Sequence, residues 1–223
     1  MTSSSFIKDN MLIDPSMQNE IIRRAVDGNF GDNPDQAVHS LGTLKAPDGR
    51  EVGVHLRHAA DAVLLDDFGN VVLITRKYNP GTGLKALPGG FLDPVQGTGG
   101  ATVAENAVTA ALREATEETG ISKRLLEEAQ IIPVGHRSYD RPFDIRVAWG
   151  DMPATDIKKG DFFAVSTQAF CVKLPRALSH VLLKAGDDAK GVLVAKISSL
   201  TPDKFGVADH LTMIRAAQVA AHI

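Results

Sequence analysis

Apolar and polar positions change period several times along the chain. SMQNEIIRRAVDGNF, residues 16–30, suits a short helix, and GDNPDQ, residues 31–36, is a turn-rich break. AVHSLGTLKAPDGREVGVHLRH, residues 37–58, predicts a β-hairpin reversed at PDGR. DAVLLDDFGNVVLITRK, residues 61–77, predicts two strongly apolar strands joined at DDFGN. The following stretch, YNPGTGLKALPGGFLDPVQGTGG, is a long glycine- and proline-rich loop with a short apolar interruption at Leu84 to Leu87. Residues 101–119 predict a helix, rich in alanine, with Val103, Ala107, Val108, Ala111 and Leu112 at three- and four-residue spacings. Gly120 is placed to end it in the left-handed conformation. QIIPVGHRSYD and FFAVSTQAFCVKL read as strands separated by a polar loop, and GVLVAKISSL as another. GVADHLTMIRAAQVAAHI reads as a closing helix, with Val207, Leu211, Ile214 and Gln218 marking its stripe. Strands before, between and after two helices predict a mixed α/β sandwich rather than a doubly wound parallel sheet.

Composition narrows this picture only a little. A chain of 223 residues suits one sizeable domain, or one domain with an appendage. A formal net charge of −3 and the lack of a basic run argue against a nucleic-acid-binding surface. The single cysteine, Cys171, excludes a disulfide framework, fits a reducing cytoplasm, and alternates like a buried strand residue. No segment reaches the roughly 18–20 apolar residues of a membrane span. MTSSSFIKDN has neither the basic nor the apolar region of a signal peptide. A cytoplasmic protein that binds neither membrane nor nucleic acid is the expectation.

Charge becomes informative at REATEETG, residues 113–120. Glu114, Glu117 and Glu118 stand three and four residues apart on one helical face and repel one another. They also sit at the negative end of the helix dipole, where each costs roughly 0.3–1 kcal/mol. A divalent cation reverses the sign of every one of these terms. Magnesium takes carboxylate oxygens and usually shares phosphate oxygens with a substrate. The neighbouring glycine loop can bring backbone groups close to such an ion. A solvated acidic helix end is the bland alternative. The seven histidines show no metal-ligand spacing.

Spacing decides between them. Gly99, Glu105, Arg113, Glu114, Glu117, Glu118 and Gly120, with Ile121, match every fixed position of G-x5-E-x7-R-E-U-x-E-E-x-G-U, where U is a bulky aliphatic residue. The chain therefore resembles the Nudix hydrolase family, whose box this is, and ALPGGF is similar to the segment that leads into the box. Two departures stand out. Ala115 occupies the first U position, and the box glycine is normally the second of PGG, here Gly90, so either Gly90 or Gly99 fills that role. An insertion near VQGTGGATV accounts for the displacement.

The resemblance implies a Nudix-type α/β/α sandwich with a mixed sheet over residues 58–223, preceded by a helix-and-hairpin extension over residues 1–57. It implies hydrolysis of a nucleotide-linked pyrophosphate with magnesium, or manganese as a substitute. Glu118 and Glu114 would be the main metal ligands, with Glu117 and the Gly90 carbonyl beside them. Arg113 would orient the carboxylates, paired with Glu105. Glu114 is one candidate general base, and a later acidic residue such as Asp161 or Asp209 is another. The segment from Arg57 to Pro94 and the late DHLTMI look like the branch containing ADP-ribose pyrophosphatases. Arg76, Lys77, Arg141 and Arg146 could meet phosphates, and Phe91 and Phe143 could stack on a base. Solvated arginines and buried aromatics are the alternatives for each. Tyr139 stands at a loose match to the tyrosine of dinucleoside polyphosphate hydrolases. Other activities stay open: hydrolysis of nucleoside triphosphates or dinucleoside polyphosphates, a ligand-sensing module, or an interaction protein with a vestigial box. Because the N-terminal hairpin is too small to form a core, it must pack on its own domain or on a second subunit. The resemblance favours a homodimer through residues 1–57.

Overall fold

A computed structural model describes residues 14–28, 30, 34–46, 48–78, 81–136, 144–148, 150–152, 155–186, 189–207 and 209–223. The chain forms two compact units. The first comprises Met1–Gly31, Val38–Arg57 and Ser138–Ser166, and the second Asp32–Ala37, His58–Arg137 and Thr167–Ile223. The first unit's second segment ends at Arg57, and the unit also takes in residues 138–166.

In the first unit, helix α1 (Pro15–Asp27) begins with Pro15 just inside a cap from Asp14, whose carboxylate accepts the Ser16 N–H at 2.7 Å. Met17, Ile21 and Ala25, each four apart, bury one face of it. Strand β1 (Val38–Lys45) pairs antiparallel with the first half of β2 (Glu51–Leu65), from Val38 opposite Arg57 to Lys45 opposite Glu51. The predicted hairpin face of Val52, Val54 and Leu56 packs with the α1 residues and with Phe162 and Ala164. The hairpin therefore shares a core with α1 and with a strand from late in the sequence.

The second unit is the larger. Its sheet runs in the order β11 (Ala189–Lys196), β3 (Asn70–Arg76), β2, β10 (Phe162–Lys173), β8 (Gln130–His136). Strand alternation sends the two faces to different helices. Ala60, Ala62, Leu64 and Val72 pack with Ala110, Ala111 and Ala115 of α2 (Ala107–Thr119) and with Leu125 of α3 (Lys123–Glu127). Val63, Leu65, Val71 and Leu73 pack with Leu211, Ile214 and Ala217 of α4 (Asp209–Ala220). Helices on both faces of the sheet make the unit the mixed α/β sandwich that the pattern predicts. Cys171 is fully buried on the α4 face, and burial pushes its thiol up to about 11. No helix among the described residues is long and apolar enough to cross a membrane.

The two strands expected on either side of residue 60 are one 15-residue strand, β2. The irregular loop after residue 77 contains β4 (Lys85–Ala86), β5 (Gly89–Phe91) and β6 (Pro94–Gln96). The helix expected from residue 101 starts at Ala107, because Thr102–Ala104 form β7, the partner of β6, and Asn106 caps the helix behind them. A short strand, β9 (Asp144–Val147), pairs with β10 where a polar loop was expected. The buried stripe of α4 is His210, Leu211, Ile214 and Ala217; Val207 precedes the helix and Gln218 is only half-buried.

Candidate active site

Helix α2 presents the acidic cluster and is fixed at both ends. The Asn106 side chain accepts the Val108 N–H at 3.0 Å. At the other end Gly120 adopts φ 66° and donates its N–H to the Thr116 carbonyl, the left-handed close expected from sequence. Ala115 is completely buried, so the small residue at that box position lies in the sheet-facing core.

Arg113 is the hub. Its guanidinium donates to both oxygens of Glu105, at 3.2 and 2.9 Å. It also reaches Glu114 Oε1 at 2.8 Å, Glu117 Oε2 at 3.2 Å and the Phe91 carbonyl at 3.2 Å. Five donors in a planar fork suit this task as no lysine could. Glu105 lies in the turn before α2, where its N–H donates to the Asp93 carbonyl at 2.8 Å. Its carboxylate lies beside the helix because the β6–β7 hairpin closes on itself just ahead of it.

Glu118 faces a different environment. It is 8% exposed, and its Oε2 accepts the Gly89 N–H at 2.9 Å. Burial pushes its carboxyl up to about 8; the Gly89 N–H opposes that, Glu114 and Asp61 add to it, and Arg76 lowers it. Burial also lifts Glu114, against the pull of Arg113. A side chain at Gly90 would overlap the Glu114 carboxylate, and one at Gly89 would overlap Asp61. Glycine is required at both by close approach. Gly99, by contrast, has φ 78° and open space where a Cβ would stand. Of the two candidate box glycines, Gly90 is the one against the glutamates.

No three His, Cys, Asp or Glu side chains among the described residues converge as a ready metal centre. Glu114 and Glu117 are turned toward Arg113 instead. The donor set nonetheless suits a hard cation. Glu118 and Glu114 are buried carboxylates whose charge is unfavourable as it stands, and the backbone approaches Glu118 at Gly89 and Glu114 at Gly90 with no side chain in the way.

The other predicted residues are scattered. Arg76 ends β3, near enough to Glu118 for its charge to act there, with its side chain against Gly206. Phe91 is half-buried and contributes its carbonyl to Arg113. Lys77 lies 5.2 Å from the ring centroid of Tyr78. Arg146 is on β9 of the first unit. Asp161, in the same unit, accepts the Gly53 and Lys158 N–H groups, both at 2.9 Å, and pairs with His55 at 3.2 Å. These bonds outweigh burial and hold its carboxyl below the ordinary range, which makes it a poor proton acceptor. Asp209 is in the first turn of α4. Arg141, Tyr139 and Phe143 lie outside the described residues.

Sequence reasoning missed three residues around the glycine segment. Asp61, 7% exposed, accepts the Thr167 hydroxyl at 2.5 Å and lies 3.9 Å from His210 Nε2. His210 Nδ1 accepts the Leu87 N–H at 3.0 Å. The usable signal was an aspartate inside the apolar run AADAVLL, since a buried carboxylate needs partners.

Residues 55–164 match the model of the NUDIX domain. No curated protein matches the chain. Among solved structures, the NUDIX domain of Shewanella oneidensis NrtR, complexed with ADP ribose, is 20% identical, with a TM-score of 0.48, and the match covers 74% of this chain and 87% of that one. A Francisella tularensis bifunctional NMN adenylyltransferase/ADP ribose pyrophosphatase, complexed with AMP and a Mn ion, is 20% identical with a TM-score of 0.41, over 92% of this chain and 47% of that one. This chain thus spans under half of that protein's length. A C. elegans Ap4A hydrolase is 15% identical with a TM-score of 0.45, over 74% of this chain and 97% of that one. With the match enclosing the box helix and the glycine segment set against it, residues 55–164 of the chain carry a NUDIX domain.

Proposed function

We propose that the chain hydrolyses the pyrophosphate of ADP-ribose or a related nucleoside diphosphate-linked compound, releasing a nucleoside monophosphate. One observation carries the reading. Glu118 is buried at the glycine segment with its carboxyl near 8, on the same helical face as a Glu114 held by Arg113. A protein gains nothing in stability from such a carboxylate, whereas a phosphate-binding cation makes it useful. Glu118 and Glu114 would hold magnesium, with Glu117 and the Gly90 carbonyl in support and manganese as a substitute. Bound there, the metal would neutralise charge on the phosphate oxygens and lower the pKa of a coordinated water.

The chain's own residues have separable tasks in this reading. Glu105 fixes Arg113, and Arg113 holds Glu114 and Glu117 in register on the helix. Water adds across the P–O–P bridge, so one proton must be taken up as it attacks. Glu114 is the acceptor proposed for that proton, since hydrogen bonds from Gly53, Lys158 and His55 hold Asp161 low. Arg76 supplies positive charge beside Glu118 and is the described cation best suited to a substrate phosphate. Phe91 offers a half-buried ring next to the same segment. A homodimer through residues 1–57, in a cytoplasmic setting, completes the proposal.

The test is a panel of ADP-ribose, nucleoside triphosphates, dinucleoside polyphosphates and nucleotide sugars with magnesium, resolved by product. AMP and ribose 5-phosphate from ADP-ribose are expected. Pyrophosphate from triphosphates would transfer the assignment to the triphosphate class. Tight binding without turnover of any compound would make the chain a ligand sensor.

A further inference from the structure

The segment Leu87–Gly90 connects α4 to the box helix. At its near end the Leu87 N–H is donated to His210 Nδ1 at 3.0 Å, a buried bond between residues 123 apart in sequence. The Pro88 carbonyl accepts from Ala62 N–H at 2.8 Å, and Gly90 pairs with Ala60 across the β2–β5 ladder. At the far end Gly89 donates to Glu118. A ring nitrogen that accepts a hydrogen bond carries no proton, so the Leu87 bond fixes the neutral imidazole as the Nε2–H tautomer. That N–H lies on the side of Asp61, whose Oδ1 is 3.9 Å away and whose Oδ2 is held by Thr167. Asp61 in turn abuts Gly89, where any side chain would strike it.

The geometry points to His210 as a positioning residue: from α4 it holds the Leu87–Gly90 segment so that Gly89 N–H meets Glu118 and the Gly90 backbone meets Glu114. The reacting atoms are not in contact with it, and the role rests on the proposed hydrolysis at the box glutamates. An interior histidine could serve packing alone. What distinguishes the two is that packing does not require an acceptor at the Nδ1 position. Asparagine carries its Oδ1 where histidine carries Nδ1, while alanine carries no acceptor.

The test uses the full chain without metal or substrate, by amide hydrogen exchange and histidine 15N resonances. In the wild type His210 should show the Nε2–H tautomer, which needs no variant and survives any folding failure. In His210→Ala the Leu87 and Gly89 amides should exchange about tenfold faster or more, with the Val192 and Val194 amides of β11 unchanged. His210→Asn should restore protection. With a turned-over substrate in hand, His210→Ala should lower kcat about tenfold with little change in KM, and His210→Asn should recover most of it. An Nδ1–H tautomer, or unchanged exchange at Leu87 and Gly89 in folded His210→Ala, overturns the proposal. So does an asparagine variant as impaired as the alanine one. Because exchange is read without turnover, failure of the hydrolase assignment removes the catalytic consequence but not the exchange result, and failure of exchange leaves the hydrolase assignment intact.

Discussion

Glu118 shows what a single buried carboxyl can do to a whole molecule. Its proton is held more tightly in the folded chain, near 8, than at its ordinary value of 4.5. The stability that proton contributes is therefore complete below about pH 4.5 and is lost as pH rises through about 8. The swing is on the order of 5 kcal/mol if the whole shift is expressed. Burial shifts Glu114 the same way, against the pull of Arg113. We expect denaturant unfolding of the metal-free wild type to weaken from pH 5 to pH 8.5. Glu118→Gln should flatten that dependence and raise the metal-free melting temperature. Magnesium added at pH 7 in weak buffer should release about one proton, read with an indicator dye. A magnesium titration that leaves pH unchanged would mean that the ion does not engage Glu118. The glycines make a second comparison at this scale. Gly90→Ala drives a methyl into the Glu114 carboxylate, whereas Gly99→Ala meets only the backbone cost of positive φ, about 1 kcal/mol. Gly90→Ala should cost about a hundredfold in kcat, and Gly99→Ala less than about threefold. The reverse order would restore Gly99 as the working box glycine. The four box residues on α2 could be read from sequence because a helix brings positions three and four apart together. The pairings of Asp61 with Thr167 and of His210 with Leu87 could not, since 106 residues separate the first pair and 123 the second.

At the scale of elements, what was legible depended on length. Helix α2 and the long strands β2, β3 and β10 carry enough residues for their period to show. The strands β4 to β7 are two or three residues each, too short for alternation to be seen, and glycine and proline between them read as loop. The early helix start was misjudged for a related reason: Thr102, Val103 and Ala104 fit a helical stripe, but β6 offers them a ladder instead. Asn106 then decides the boundary. Removing the closing glycine tests the helix as a unit. Gly120→Ala forces a Cβ onto positive φ and to 3.0 Å from the Lys184 carbonyl oxygen. It should destabilise the metal-free protein by about 1–2 kcal/mol in denaturant unfolding. No change in stability would mean that the Gly120 close contributes nothing to α2.

For the whole molecule, the N-terminal residues raise the question of assembly. The hairpin β1–β2 has a core of its own with α1, Phe162 and Ala164, so its packing does not by itself call for a second subunit. The proposed homodimer instead rests on the family resemblance, and light scattering at tens of micromolar decides it. Twice the monomer mass is expected, and a monomer would remove residues 1–57 from any dimer interface. The hydrolase assignment stands apart from that result. Its most direct test is one paired assay: AMP release from ADP-ribose and its nucleotide-linked analogues, with and without magnesium, by the wild type and by folded Glu118→Gln. We expect magnesium-dependent release by the wild type, lowered about a hundredfold or more in the variant at saturating metal. Equal turnover by the two folded proteins would contradict the placement of the metal and the reaction at Glu118.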